Sequence, residues 1–306
     1  MIQGRYVSAV VYGLMLAGLA LPVSGGVVRA EVPLFENLGV LHHEITTNSS
    51  LAQNYFDQGL RLVYAFNHEE AIAAFAEASR LDPDAPMPYW GVALSLGPNI
   101  NAAMDSKSES WAVEAVQKAT GRLAHATPKE RAYVEALAAR YSIKKSATRK
   151  AKDEAYGKAM RRLAHDYPED ADAATLFAEA LMVLRPWDYW RGDGRPQPGT
   201  EDIVTTLESA LHRHPDHPGA CHYYIHAVEA SQEPQRGLPC AKRLPSLMPG
   251  AGHLVHMPAH IYMRMGLYRE ASERNAQAAT VDHEYLLHHP LEGNYASGYY
   301  AHNLHF

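Results

Sequence analysis

Several familiar signatures are missing from this 306-residue chain. It has no G-x-S-x-G elbow, no P-loop, no dinucleotide fingerprint and no C-x-x-C-H haem attachment, so nothing supports nucleophilic hydrolase chemistry. No block of basic residues is present, which argues against nucleic-acid binding. Past residue 30 no apolar run is long enough to span a membrane. Cysteine is scarce: Cys221 and Cys240 are the only two.

What remains is a folded composition, 47% hydrophobic and 20% charged, long enough to bury a large core or to stack several repeats around a continuous one. Residues 1–30 stand apart. Arg5 gives a positive start, an apolar run follows from Val7 to Val23, and Val28-Arg29-Ala30 ends in small residues. This reads as a signal peptide cut before Glu31, which predicts a periplasmic or secreted protein with no membrane span after cleavage. The alternative is an uncleaved anchor. Cleavage removes Arg5 and Arg29 and no acid, leaving 26 basic against 34 acidic residues. Residues 31–50 read as a leader segment, with His42 and His43 as exposed residues in it.

From residue 51 onward the spacing is that of repeated helix pairs. Between residues 54 and 88, Gly59, Ala71, Phe75, Ala78 and Pro83 recur at tetratricopeptide intervals. Gly59 and Ala71 are small where two helices cross, Phe75 and Ala78 face the hairpin interior, and Pro83 closes the second helix. His68 falls in the turn between the helices and reads as solvated. Weaker copies carry Tyr156, Met160, Leu163 and Pro168, then Ile203, Leu207, Ala210 and Pro215, then Gly237, Ala241, Leu244 and Pro249. The chain thus resembles the tetratricopeptide repeat (TPR) superfamily over about residues 50–285, and secreted bacterial proteins of that type in general. The resemblance implies an all-α, right-handed helical solenoid of antiparallel helix pairs over residues 51–306.

Two stretches depart from the repeat. Residues 185–200, rich in Gly, Pro, Trp and Arg, read as an inserted loop, and residues 283–298 as a second one. Trp187 and Trp190 either wall a ligand or anchor the first loop. Gly97-Pro98 reads as a plain helix stop, with Asn99 and Asn101 reaching a ligand as the alternative. Residues 299–306 look like the first helix of a further repeat without its partner or a polar cap, which predicts that the sequence is part of a longer protein. Cys221 and Cys240 would lie at facing levels of one hairpin. A disulfide and a thiolate metal site both suit that placement.

Histidine is the residue in excess. Thirteen of the 18 histidines lie between residues 212 and 306. His222 and His226 are spaced i, i+4, and His256 and His260 repeat that spacing 34 residues later, one tetratricopeptide period. An i, i+4 pair lies on one helix face. His222, His226 and Glu229 form one stripe; His253, His256 and His260 form another; His302 and His305 are spaced i, i+3. In the TPR family these first-helix positions line the concave groove where ligands bind. The resemblance therefore implies a groove faced by these histidines, with Glu229 and Arg264 beside them; Tyr223 and Tyr262 are further candidate lining, as are Trp187 and Trp190 of the inserted loop.

Neutral imidazole is the commonest ligand for zinc and copper. The predicted function is an exported, histidine-rich metal-binding protein whose metal ligands come from His222, His226, His253, His256, His260, His302, His305 and Glu229. Two alternatives use the same site: a metal-independent groove for a peptide or protein partner, and a metal-dependent enzyme. His222-Tyr-Tyr-Ile-His226 lacks the glutamate of a zincin motif, which lowers a protease reading. Pro258 either kinks the helix carrying His256 and His260 or starts it anew. His212, His214, His217, His288 and His289 are secondary candidates in turns and loops.

Overall fold

The computed structural model describes residues 32–141, 147–287 and 295–306, with the backbone of His288. Residues 1–30, which read as a signal peptide, lie outside the described residues, as do residues 289–294 of the expected second insertion. Among the described residues about 13 helices pack together, and no β-strand occurs. No helix there is long and apolar enough to cross a membrane.

The elements run α1 (Ser50–Tyr64), α2 (His68–Leu81), α3 (Pro86–Ser95), α4 (Ser106–Thr120), α5 (Pro128–Tyr141), α6 (Arg149–Asp166), α7 (Ala171–Val183), α8 (Thr200–Arg213), α9 (Pro218–Val228), α10 (Leu238–Leu247), α11 (Gly252–His256), α12 (Pro258–Arg264) and α13 (Tyr268–His288). A π-helical turn, Tyr295–Tyr300, then leads into α14 (Ala301–His305). Consecutive helices pack as pairs from α1 onward. In the first pair the Asn67 side chain caps α2 by accepting from the Glu70 amide, and Ala71, Phe75 and Ala78 are fully buried. Gly59 is required there, since a Cβ would sit 2.7 Å from the Phe75 ring. Tyr156 and Met160 of α6, Leu207 of α8 and Leu244 of α10 are buried as their spacing predicts.

A second layer of contacts places the site. α1 packs on α3, α3 on α5, α7 on α9, and α1 returns to pack on α9. In an open repeat array each unit meets only its neighbours. Here the first helix meets the ninth, and Gly219 allows it: a Cβ on Gly219 would lie 2.4 Å from the Tyr64 ring. α9 is buried along its whole length, as expected of a helix with no polar face. The face expected to be an open groove is closed at this point. Cys221 of α9 and Cys240 of α10 are joined by a disulfide, Cα–Cα 5.0 Å.

The leader is a strap and not an exposed tail. Phe35 N donates to Gln58 Oε1 at 2.7 Å, His43 N to Asp57 Oδ1 at 3.0 Å, and Thr46 Oγ1 to Glu130 Oε2 at 2.6 Å. His43, expected to be exposed, is buried against Phe56 and Tyr133 with Nδ1 on Asp172 Oδ2 at 2.7 Å. His68 is likewise not solvated; it is half-buried, with Nδ1 on the Ser95 carbonyl at 3.0 Å.

Residues 184–199 do form a loop between α7 and α8. Trp190 anchors it by donating Nε1–H to the Ala227 carbonyl at 2.7 Å. The second insertion begins later than its spacing suggests, because α13 continues to His288. The region around Pro258 combines both expectations. α11 ends at His256, Met257 keeps helical dihedrals, and Pro258 opens α12 at its first position.

Candidate metal centre

Four short elements carry the histidines inward. His222 and His226 come from α9, His253 and His256 from α11, His260 from α12 and His302 from α14. The first five are buried, none more than 4% exposed, and His302 is half-buried. Their ring nitrogens fall into two sets that could each hold a metal ion: His222, His226 and His253, and His256, His260 and His302. Within each set the ligand atoms lie within 4.8 Å of one another.

The Nδ1 atoms are tied from behind. His222 Nδ1 meets the Tyr64 carbonyl at 2.7 Å, and His256 Nδ1 meets Asn275 Oδ1 at 2.8 Å. Glu229 serves two rings, one with each oxygen: His226 Nδ1 at 2.9 Å and His260 Nδ1 at 2.7 Å. A carbonyl or a carboxylate can only accept, so each of these four rings carries its proton on Nδ1. This leaves Nε2 as the lone-pair atom of these four rings, and those of His256 and His260 face one another. Among the described residues no acceptor fixes Nδ1 of His253 or His302, and either ring can donate Nε2–H to its neighbour. His256 Nε2 lies 3.0 Å from His260 Nε2 and 3.0 Å from His302 Nε2, and His222 Nε2 lies 3.2 Å from His253 Nε2. His226 Nε2 is buried with no hydrogen-bond partner.

Two facing acceptors repel unless a cation or a proton lies between them. Protonation is disfavoured at His222, His226, His253, His256 and His302. Burial, and then the neighbouring rings, hold His222, His253 and His256 well below the ordinary imidazole value. Burial also lowers His226 against the pull of Glu229, and lowers His302 to about 4. Glu229 is the charged member. Burial alone would raise it, yet His260 and His226 hold it far below the usual carboxylate range. Glu229, His226 and His260 are a further set that could hold a metal ion, ligand atoms within 4.8 Å of one another, but both Glu229 oxygens are taken by ring N–H groups. Its place is that of an orienting carboxylate.

Aromatic rings wall the cluster. Phe66 lies 4.5 Å from His222, Trp187 meets His226 edge-on at 4.9 Å, Phe306 lies 4.5 Å from His260, and Tyr299 lies 4.8 Å from His253. Tyr223 is buried and stacks on His222 at 5.3 Å, and Tyr262 is buried on α12. Trp190 holds its loop and does not join the wall. His305 and Arg264 are exposed and stand outside the cluster. Asn99 caps its own turn, accepting from Asn101 N, while exposed Asn101 donates Nδ2–H to Tyr299 at 3.2 Å. His212 and His214 are exposed. His217 caps α9, with Nδ1 accepting from Ala220 N and Nε2 on Asp172. The His288 side chain and His289 lie outside the described residues.

No family model matches this chain, and no curated protein does. The tetratricopeptide resemblance therefore stands on residue spacing and on helix pairs, and the function must be read from the site itself.

Sequence reasoning missed five contributors: Asn275, the Tyr64 carbonyl, and the rings of Phe66, Tyr299 and Phe306. Asn275 sits on α13, where no spacing rule marks it. The Tyr64 carbonyl and the Phe66 ring come from the first hairpin, about 160 residues from their histidine partner, and only the closure of α1 on α9 delivers them.

Proposed function

We propose that this protein is an exported, tetratricopeptide-type solenoid that binds a transition metal, zinc or copper, within its inner helical layer. The ligands are the Nε2 atoms of His222, His226, His256 and His260, joined by His253 and His302, with Glu229 orienting two of the rings. One observation carries the reading. His256 and His260 both have Nδ1 held by acceptors, so their Nε2 atoms meet at 3.0 Å as lone pair against lone pair. A metal ion turns that repulsion into two bonds, and the Nδ1 partners match the outer support that metal-ligating histidines need.

The solenoid assignment is supported by sequential helix pairing and by the 34-residue offset between the two histidine pairs. Export is supported by the pattern of residues 1–30 and by the Cys221–Cys240 disulfide, a bond at home in oxidising compartments. Burial of the rings argues against a peptide lying across them, which would need their edges exposed.

The test is a double variant, His226→Ala with His260→Ala, against wild type, both without a His tag. Competition with a chromogenic chelator should register zinc or copper bound by wild type and none by the variant, at equal helical content by circular dichroism. Unchanged metal uptake in a folded variant would defeat the assignment.

A further inference from the structure

The spacing of the rings in the proposed metal site bears on how many ions it takes, and their surroundings bear on the charge of those ions. Each set of rings supplies nitrogen pairs of its own: 3.2 Å between His222 and His253, 3.0 Å between His256 and both His260 and His302. With bonds of about 2.0–2.1 Å, neighbouring nitrogens around one ion are separated by roughly 3.3–3.6 Å in tetrahedral or trigonal shells. Each set therefore holds at least one nitrogen pair near that separation, with its third ligand atom within 4.8 Å. The sets also share a wall, with His226 and His260 ring centroids 5.1 Å apart. Glu229 spans that wall, one oxygen on a ring of each set.

Charge then discriminates between ions. Imidazole binds a metal ion as a neutral donor, and among the described residues Glu229 is the one carboxylate hydrogen-bonded to these rings. Two divalent ions would bury four positive charges against one negative. Two univalent ions would bury two. The cost of burying charge rises with its square, and this site is lined by Phe66, Trp187, Tyr223, Tyr299 and Phe306. Univalent copper accepts three neutral nitrogens without an anionic ligand, and imidazole suits copper.

We propose that the six histidines form a two-copper centre, one cuprous ion held by His222, His226 and His253 and the other by His256, His260 and His302, with Glu229 tying the two sets together from behind. This rests on the metal-binding reading above and adds the number and charge of the ions.

The experiment is an anaerobic titration of untagged protein with cuprous ion, supplied as its acetonitrile complex and read against bicinchoninate. Two equivalents bound per chain are expected, falling to one in His302→Ala and to one in His253→Ala. A single equivalent in wild type would overturn the pair and leave the metal reading standing. No uptake of cuprous, cupric or zinc ion would overturn both. Displacement of both coppers by equimolar zinc would overturn the choice of ion. X-ray absorption on loaded wild type needs no variant. About three nitrogen neighbours per copper are expected, and a count near six would place one ion among all the rings and end the proposal.

Discussion

Tyr64 accepts from His222 across 158 residues of sequence: the Tyr64 carbonyl takes the His222 Nδ1–H at 2.7 Å. The same tyrosine donates its hydroxyl to Asp172 at 2.6 Å, and Asp172 in turn holds His43 and His217. One residue at the end of α1 thus fixes the tautomer of a candidate ligand and ties the leader strap, α7 and α9 to it. The contact depends on how closely α1 approaches α9.

That approach can be tested at Gly219. A methyl group there would meet the Tyr64 ring at 2.4 Å. Gly219→Ala should destabilise the protein by about 1–3 kcal/mol, as overpacking does, and should weaken metal binding with it. Thermal unfolding and chelator competition on the same sample check both. A variant as stable as wild type would show that α1 and α9 are not held together here.

Glu229 accepts from two rings at once, which glutamine cannot do, because its amide nitrogen would face a ring N–H. Glu229→Gln should keep the helical fold and lower metal affinity about 10–100-fold. Competitive titration measures it. Affinity unchanged within error would remove Glu229 from its orienting place.

Much of this is legible in the sequence. The first helix hairpin follows from the spacing of Gly59, Ala71, Phe75 and Ala78, and the inner placement of the histidines follows from a 34-residue offset between i, i+4 pairs. These are local or periodic signals. Closure of the inner layer was not legible, because it rests on non-local contacts such as Tyr64 on Gly219. For the same reason His43 reads as exposed in sequence: its partner Asp172 lies 129 residues away. His305 shares a short spacing with His302, yet it is exposed while His302 reaches His256. An i, i+3 pair offers a face, and packing decides how far along it the partner reaches.

Away from the histidines, Glu179 should give stability a distinctive pH dependence. Burial pushes it up to about 7 against the opposing pull of Arg140, while in the unfolded chain it titrates near the usual 4.5. The folded state therefore binds the extra proton between those values, so stability falls as pH rises from 4.5 to 7 and levels off above. Glu179→Gln removes this term. The variant should be more stable than wild type at pH 8, on the order of a few kcal/mol, and the gap should close toward pH 4.5. Denaturant melts of both proteins across that range check it; a gap that widens in acid would contradict it.

The Cys221–Cys240 bond closes a short loop between α9 and α10, sequence separation 19. Its reduction, or Cys221→Ser with Cys240→Ser, should cost about 2–4 kcal/mol. Denaturation with and without reductant measures the loss. Because α9 carries His222 and His226, the reduced protein should also hold metal less tightly.

Elemental analysis of the protein, purified without an affinity tag or metal column and never exposed to chelators, tests the central claim most directly. The account predicts zinc or copper bound at one or more ions per chain, retained through gel filtration and lost in the folded His226→Ala, His260→Ala variant. A folded protein that carries no transition metal, and takes up none when zinc or copper is offered, would contradict it.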